Sequence, residues 1–156
     1  MKTKPFIATG TFTALVTPFK KNGAIDFDAF EKLVKFQIAN GITGIAINST
    51  TGEAPTLTEQ EKLELLAMAV KISNGRISIL AGTGSYDTKK TIELTNKSLE
   101  LGASAALIVS PYYNKPTQKH LYNHYKTIAQ NCNLPIILYN VPGRTGSYVL
   151  PDTQLN

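Results

Sequence analysis

The chain has 156 residues, of which 42% are hydrophobic and 17% are charged, a composition typical of a folded globular unit and not of a disordered chain. The formal net charge is +5, but the basic residues are scattered, which argues against a nucleic-acid-binding stripe. No apolar run approaches the roughly 18 residues of a membrane span, no signal peptide follows Met1, and Cys132 is the single cysteine. We therefore expect a cytoplasmic protein without disulfides.

Short apolar segments rich in β-branched residues alternate along the chain with segments of helical periodicity. The predicted strands cover residues 10–19, 42–48, 77–81, 105–110 and 135–140. The first predicted helix lies between an N-cap at Asp26 and a C′ glycine at Gly41. The second begins with the capping-box sequence Thr58-Glu59-Gln60-Glu61 and ends at Asn74-Gly75. Two more helices are predicted at about 87–101 and 118–131, and Leu150 onward has the features of a fifth helix start.

The strand–helix alternation predicts a parallel sheet whose strands are buried on both faces. A doubly wound nucleotide-binding sheet would favour a glycine fingerprint after the first strand, and residues 17–23 do not supply one. We therefore predict the α/β class and a (β/α)₈ TIM barrel, truncated after its fifth strand because a whole barrel takes about 250 residues. Residues 1–156 would be the N-terminal part of this single domain, with the first and fifth strands as open edges.

Polar residues concentrate in three loops that follow the second, fourth and fifth predicted strands. The loop sequences are Ser49-Thr50-Thr51-Gly52-Glu53, Pro111-Tyr112-Tyr113-Asn114-Lys115-Pro116 and Tyr139-Asn140-Val141-Pro142-Gly143-Arg144-Thr145-Gly146. The carboxyl ends of barrel strands meet on one face, which is where barrel enzymes place their active sites. The hydroxyls, amides and guanidinium of these loops are therefore expected to converge.

The Thr-Thr-Gly-Glu turn, the Tyr-Tyr-Asn loop and the Tyr-Asn-Val-Pro-Gly-Arg-Thr-Gly segment resemble the pyruvate-dependent aldolases, and within them the dihydrodipicolinate synthase family. The resemblance implies a lyase that condenses pyruvate with aspartate-4-semialdehyde through a lysine Schiff base, toward diaminopimelate and lysine. No other cofactor and no metal is implied, and the complete enzyme is expected to be a homotetramer built as a dimer of dimers.

The same resemblance assigns roles to five residues. Tyr139 would relay protons with Thr50 and Tyr113, and Tyr113 would reach into the site of a neighbouring subunit. Thr51 would bind the pyruvate carboxylate, and Arg144 would hold the carboxylate of the semialdehyde, a task that suits a two-pronged donor. The Schiff-base lysine of the family stands on the sixth strand, so we expect it to be missing from residues 1–156. Of the lysines present, Lys115 is predicted to lie nearest the active face.

Two alternative functions remain open at this point. Sister lyases that act on N-acetylneuraminate or ketodeoxy sugar acids share the Gly-Glu turn, but they typically lack an arginine at the position of Arg144. A non-catalytic fragment would also account for a missing lysine. A metal site at His120 and His124, four residues apart, is disfavoured because no further ligand lies nearby, and we expect a surface helix there. Glu53 is expected to orient its loop and not to act as an acid.

Overall fold

The computed structural model describes residues 6–155; Met1 to Pro5, with Lys2 and Lys4, and Asn156 lie outside the described residues. Its centre is a parallel five-stranded sheet in the order β1-β2-β3-β4-β5. The strands are β1 (Phe12–Ala14), β2 (Gly44–Ile47), β3 (Ser78–Gly82), β4 (Ala105–Val109) and β5 (Ile136–Tyr139). Each crossover moves one position in the same direction, as in a barrel, whereas a doubly wound sheet reverses direction part-way.

Six α-helices lie in the described residues: α1 (Phe27–Ala39), α2 (Glu59–Ser73), α3 (Thr88–Glu100), α4 (Gln118–Asn131), α5 (Pro142–Thr145) and α6 (Pro151–Leu155). The predicted start signals are confirmed. The Asp26 side chain caps α1, and Thr58 and Glu61 form the capping box of α2. The short helix α5 was not predicted, because four residues give no periodicity to detect.

The predicted extent of the first strand, residues 10–19, is wrong. β1 has three residues, since Gly10 has a positive φ of 84° and Pro18 has no amide hydrogen to donate. After Thr17 the chain turns back on itself, and Phe19 pairs with Ile25 in an isolated antiparallel bridge. Burial on both faces was predicted for every strand and holds for β2, all of whose residues are buried. It is wrong for β1 and β5, which have a strand neighbour on one side only.

Alternate residues of the sheet enter two separate cores, as the period of two in a strand requires. Ile45, Ile47 and Ile79 pack against the helices, together with Leu65, Leu66 and Ile128. Ala46, Leu80 and Ala105 form a smaller cluster on the other face. The helix-facing core fixes the strand positions, and therefore the positions of the loops at their carboxyl ends. No helix in the described range 6–155 is long and apolar enough to cross a membrane.

Candidate active site

One cavity of about 400 Å³ opens at the carboxyl edge of the sheet. It is lined by residues at or just after the carboxyl ends of four consecutive strands, β2 to β5, and by the start of α2. Its volume falls within the range of small-molecule sites. Three of the five residues expected to carry chemistry line it, namely Thr50, Tyr139 and Arg144, whereas Thr51 and Tyr113 do not. The structure thus brings together residues that are 94 positions apart in the sequence.

The turn after β2 is held by the segment that follows β1. The buried hydroxyl of Thr17 donates a hydrogen bond of 2.7 Å to the carbonyl of Gly52. Within the turn, the amides of Gly52 and Ala54 both donate to the carbonyl of Ser49. The Glu53 side chain is exposed and does not cap the short 3₁₀ helix Ala54–Thr56 that follows. The expectation that Glu53 orients this loop is therefore not supported, and Thr17 takes that role, which no sequence motif indicated.

Close approach of neighbouring strands shapes the cavity floor. A Cβ added to Gly84 would lie 2.5 Å from the amide nitrogen of Val109, and one added to Gly82 would overlap the carbonyl of Asn48. Larger residues at these two positions would push the end of β3 and the residues after it away from the neighbouring strands. Asn48 itself has a left-handed backbone with φ of 53° and is buried, and it lines the cavity.

Of the two tyrosines in the loop after β4, one lines the cavity and the other is exposed to solvent. Tyr112 lines the cavity, and its ring meets that of Tyr86 edge-to-face with 5.2 Å between centroids. Burial raises the pKa of the Tyr112 hydroxyl. Tyr113 points the other way, with 88% of its surface exposed and a positive φ of 68°. A left-handed backbone is a costly conformation for an aromatic residue, so the loop holds Tyr113 outward under strain.

The end of β5 and the helix α5 form one wall of the cavity, which carries Tyr139 and Arg144. A pair of reciprocal hydrogen bonds holds the chain after β5 in place. Asn140 donates from Nδ2 to the carbonyl of Val149 at 2.9 Å and accepts at Oδ1 from the Val149 amide at 3.2 Å. Ser147 donates to the carbonyl of Pro111 at 2.9 Å, which ties this wall to the β4 loop. Arg144 stands on α5, is exposed to solvent and lines the cavity.

The prediction that Lys115 is the lysine nearest the active face is wrong. The lysine that lines the cavity is Lys62, which projects from the first turn of α2 and is half-buried. Burial lowers the pKa of the Lys62 ammonium, and the neighbouring carboxylate of Glu59 partly offsets this. The sequence alone does not indicate this position for Lys62, because helical periodicity does not show which turn of a helix faces the strand ends. Lys115 lies in the strained β4 loop, where its side chain runs close to Gly146.

The expectation that both histidines lie on a helix surface is wrong for His124. His124 is buried and its Nδ1 shares a hydrogen bond of 2.9 Å with the hydroxyl of Thr88 on α3. Burial lowers the pKa of its imidazole. His120 is exposed and pairs with the Thr117 hydroxyl. Among residues 6–155, no group of three or more His, Cys, Asp or Glu side chains is placed to hold a metal ion.

Comparison with known proteins gives a consistent result over nearly the whole chain. Residues 7–155 match the dihydrodipicolinate synthetase family. The 4-hydroxy-tetrahydrodipicolinate synthase of Kosmotoga olearia is 50% identical over 146 residues, which cover 94% of this chain and 49% of the relative. That of Thermodesulfovibrio yellowstonii is 54% identical over 144 residues, or 92% of this chain and 49% of the relative. The chain therefore spans about half the length of the curated relatives that it matches.

Solved structures agree with the fold. Dihydrodipicolinate synthase from Aquifex aeolicus superposes with a TM-score of 0.90 at 47% identity, covering 93% of this chain and 49% of that one. The chloride-inhibited enzyme from Acinetobacter baumannii, complexed with pyruvate, gives 0.91 at 50% identity, covering 92% and 50%. The five strands and their helices thus match about half of each of these (β/α)₈-barrel structures, in agreement with the predicted fold class. On the family match and these identities, the chain belongs to the dihydrodipicolinate synthetase family.

Proposed function

We propose that the protein carrying this chain is a lyase that condenses pyruvate with aspartate-4-semialdehyde to 4-hydroxy-tetrahydrodipicolinate, in the cytoplasm. The observation that carries the proposal is that Arg144, Tyr139 and Thr50 line one cavity at the carboxyl edge of the sheet. The relatives bear the name of this activity, and the Acinetobacter baumannii structure contains pyruvate. The cavity offers cations and hydroxyls and, among its described lining residues, no carboxylate, which suits two carboxylate-bearing substrates.

Each proposed role matches the chemistry of its group. Pyruvate forms an imine with a lysine amine, and the imine withdraws electrons so that the methyl carbon becomes a nucleophile. Tyr139, whose hydroxyl can both donate and accept, relays protons through Thr50. Thr51 binds the pyruvate carboxylate and Arg144 the carboxylate of the semialdehyde. The exposure of Tyr113 supports its proposed insertion into the site of a neighbouring subunit in a homotetramer.

The imine-forming lysine is proposed to lie outside residues 1–156. Of the lysines that the structure describes, none lies within a strand, and Lys62 reaches the cavity from a helix. A test requires a complete barrel, made by joining this chain to the second half of its own gene or of the Kosmotoga olearia relative. Borohydride reduction with pyruvate should leave one pyruvyl adduct, and peptide mapping should place it outside residues 1–156.

Two variants and a substrate panel make this test decisive. Lys62→Met and Lys115→Met should both retain the adduct, since neither amine is the proposed nucleophile. An adduct on Lys62 or Lys115 would refute the assignment of the nucleophile. Turnover of N-acetylneuraminate or a ketodeoxy sugar acid in place of the semialdehyde would refute the proposed second substrate and support the sister-lyase alternative.

A further inference from the structure

Arg144 is assigned to the second substrate, yet no contact among the described residues holds its guanidinium in place. It takes part in none of the three ion pairs between residues 6 and 155, and its side chain makes no hydrogen bond within that range. The reach of the guanidinium is therefore set by the backbone of α5, on which Arg144 stands. Contacts that fix this backbone also fix where Arg144 can bind.

The helix α5 is too short to hold its own position. It has four residues, Pro142–Thr145, and it ends at Gly146, whose left-handed φ of 66° turns the chain away. Its backbone hydrogen bonds close a single turn. An isolated turn of this length is unstable in water, so the position of α5 depends on anchors outside the helix.

Side-chain hydrogen bonds anchor the segment that contains α5, and those of Asn140 join its two ends. Asn140 donates from Nδ2 to the carbonyl of Val149 at 2.9 Å and accepts at Oδ1 from the amide of Val149 at 3.2 Å. Val149 is itself only 1% exposed, which makes it a firm anchor point. Ser147 and Gln118 hold the far end of the segment, to the loop after β4 and to α4.

The amide of an asparagine suits this task because it offers a donor and an acceptor side by side. Together these groups match the carbonyl and the amide of one backbone residue. Aspartate has the same shape but cannot donate, and it would place a carboxylate oxygen against the carbonyl of Val149. Asn140 is not among the described residues that line the cavity. Its influence on the reaction therefore has to pass through the segment that it closes.

We propose that Asn140 is a positioning residue, which closes residues 140–149 into a loop and thereby aims Arg144 at the carboxylate of the second substrate. This inference rests on the proposed function, because it takes Arg144 as the group that binds that carboxylate. The reciprocal bonds hold the start of the loop against its end, and α5 lies between these two points. Without them, α5 can move while its own turn stays intact, and the guanidinium moves with it.

The rest of the site is held by other contacts. Tyr139, which precedes Asn140, is fixed by the pairing of β5 with β4 and by the Ser110 amide, which donates to its carbonyl at 3.1 Å. The turn that carries Thr51 is held by the hydroxyl of Thr17. Loss of the Asn140 bonds should therefore impair use of the second substrate and spare pyruvate.

The test is steady-state kinetics of the complete barrel with Asn140→Asp, which keeps the size of the side chain and removes the donor. We expect kcat/KM for the semialdehyde to fall by about tenfold, the scale of one lost hydrogen bond that leaves a carbonyl unpaired. The KM for pyruvate should stay at its wild-type value, and borohydride should still trap the pyruvate imine. Asn140→Ala, which adds no charge, should give the same pattern.

Asn131→Asp is the matched control, because it makes the same change of charge and donor at the end of α4. The Asn131 side chain also donates to a backbone carbonyl, that of Thr127 at 2.8 Å, but it is exposed and does not line the cavity. This variant should leave the kinetics of both substrates unchanged.

A double-mutant cycle separates positioning from general damage to the fold. If Asn140 acts through Arg144, Asn140→Asp should cost nothing further once Arg144→Ala has removed the guanidinium. A second loss in the double variant, equal losses for both substrates, the same loss in Asn131→Asp, or unchanged kinetics in Asn140→Asp would each overturn the proposal. If Asn140→Asp does not fold, Asn140→Ser, whose hydroxyl can keep one of the two bonds, takes its place in the cycle.

The two proposals fail in different ways. A wild-type barrel that condenses pyruvate with a different aldehyde would refute the proposed second substrate. The same cycle, run with that aldehyde, would then decide separately whether Asn140 acts through Arg144.

Discussion

Replacing Thr17 with valine should loosen the turn that carries Thr50 and Thr51. Valine has nearly the same shape as threonine but cannot donate the 2.7 Å hydrogen bond to the carbonyl of Gly52. Thr17 is only 6% exposed and Gly52 is also buried, so water cannot easily replace the lost donor. A buried carbonyl left unpaired costs about 1–3 kcal/mol. Because this bond joins the segment after β1 to the turn after β2, the loss should appear both in stability and in the site.

Two measurements on the complete barrel check this prediction. Chemical denaturation should show a free energy of unfolding lower by about 1–3 kcal/mol, and kcat/KM for pyruvate should fall by roughly tenfold or more. Ser98→Ala is the control, since the Ser98 hydroxyl is also buried but donates within α3, to the carbonyl of Leu94. It should leave kcat/KM unchanged. A Thr17→Val protein with wild-type stability and wild-type kinetics would refute the reasoning that Thr17 positions the turn.

Four further outcomes are expected. Arg144→Ala should lower kcat/KM for the semialdehyde by an amount equivalent to about 1.5–3 kcal/mol, while borohydride still traps the pyruvate imine; unchanged semialdehyde kinetics would contradict the assignment. Free lysine should inhibit the complete barrel weakly or not at all, because the ammonium group of Lys62 lines the cavity and repels a cationic ligand there, and inhibition at low concentration would show that the charge argument fails. Residues 1–156 alone should show no aldol activity and no sharp melt as a monomer; a stoichiometric pyruvyl adduct or a two-state thermal transition would overturn this. His124 has a lowered pKa, so the unfolded chain binds a proton that the folded one does not; stability should therefore fall as pH drops below about 6.5, and His124→Gln, unlike the exposed His120→Gln, should flatten that slope in urea titrations.

The order of elements was predictable because the local signals agree with the global fold. Asp26, Thr58 and Asp87 each cap the helix that follows, and the helices begin within a residue or two of where these caps place them. The strand order followed from the absence of a glycine fingerprint and from the polar loops at the strand ends. These are short-range patterns, and a sequence displays them directly.

The parts that sequence reasoning missed depend on contacts between distant residues. Thr17 bonds to a residue 35 positions away, and His124 to one 36 positions away. Neither contact leaves a local pattern in the chain. The entry of Lys62 into the cavity depends on how α2 docks against the end of β2, through the bond from Asn48 to the carbonyl of Lys62. Such docking is set by packing of the whole helix and not by the residues around Lys62 alone.

The consecutive order of the strands also bears on how the chain folds. Each strand pairs with the one made just before it, and the paired residues are about thirty positions apart throughout the sheet. Closure entropy depends on loop length, and these loops are of similar length. Pairing the fifth strand with the fourth therefore costs about as much entropy as pairing the second with the first. Each strand–helix unit can therefore dock on its predecessor as it leaves the ribosome, without waiting for a distant partner. In such vectorial folding the turn bearing Thr50 takes shape before the wall bearing Arg144, so the cavity is assembled from its β2 side toward its β5 side.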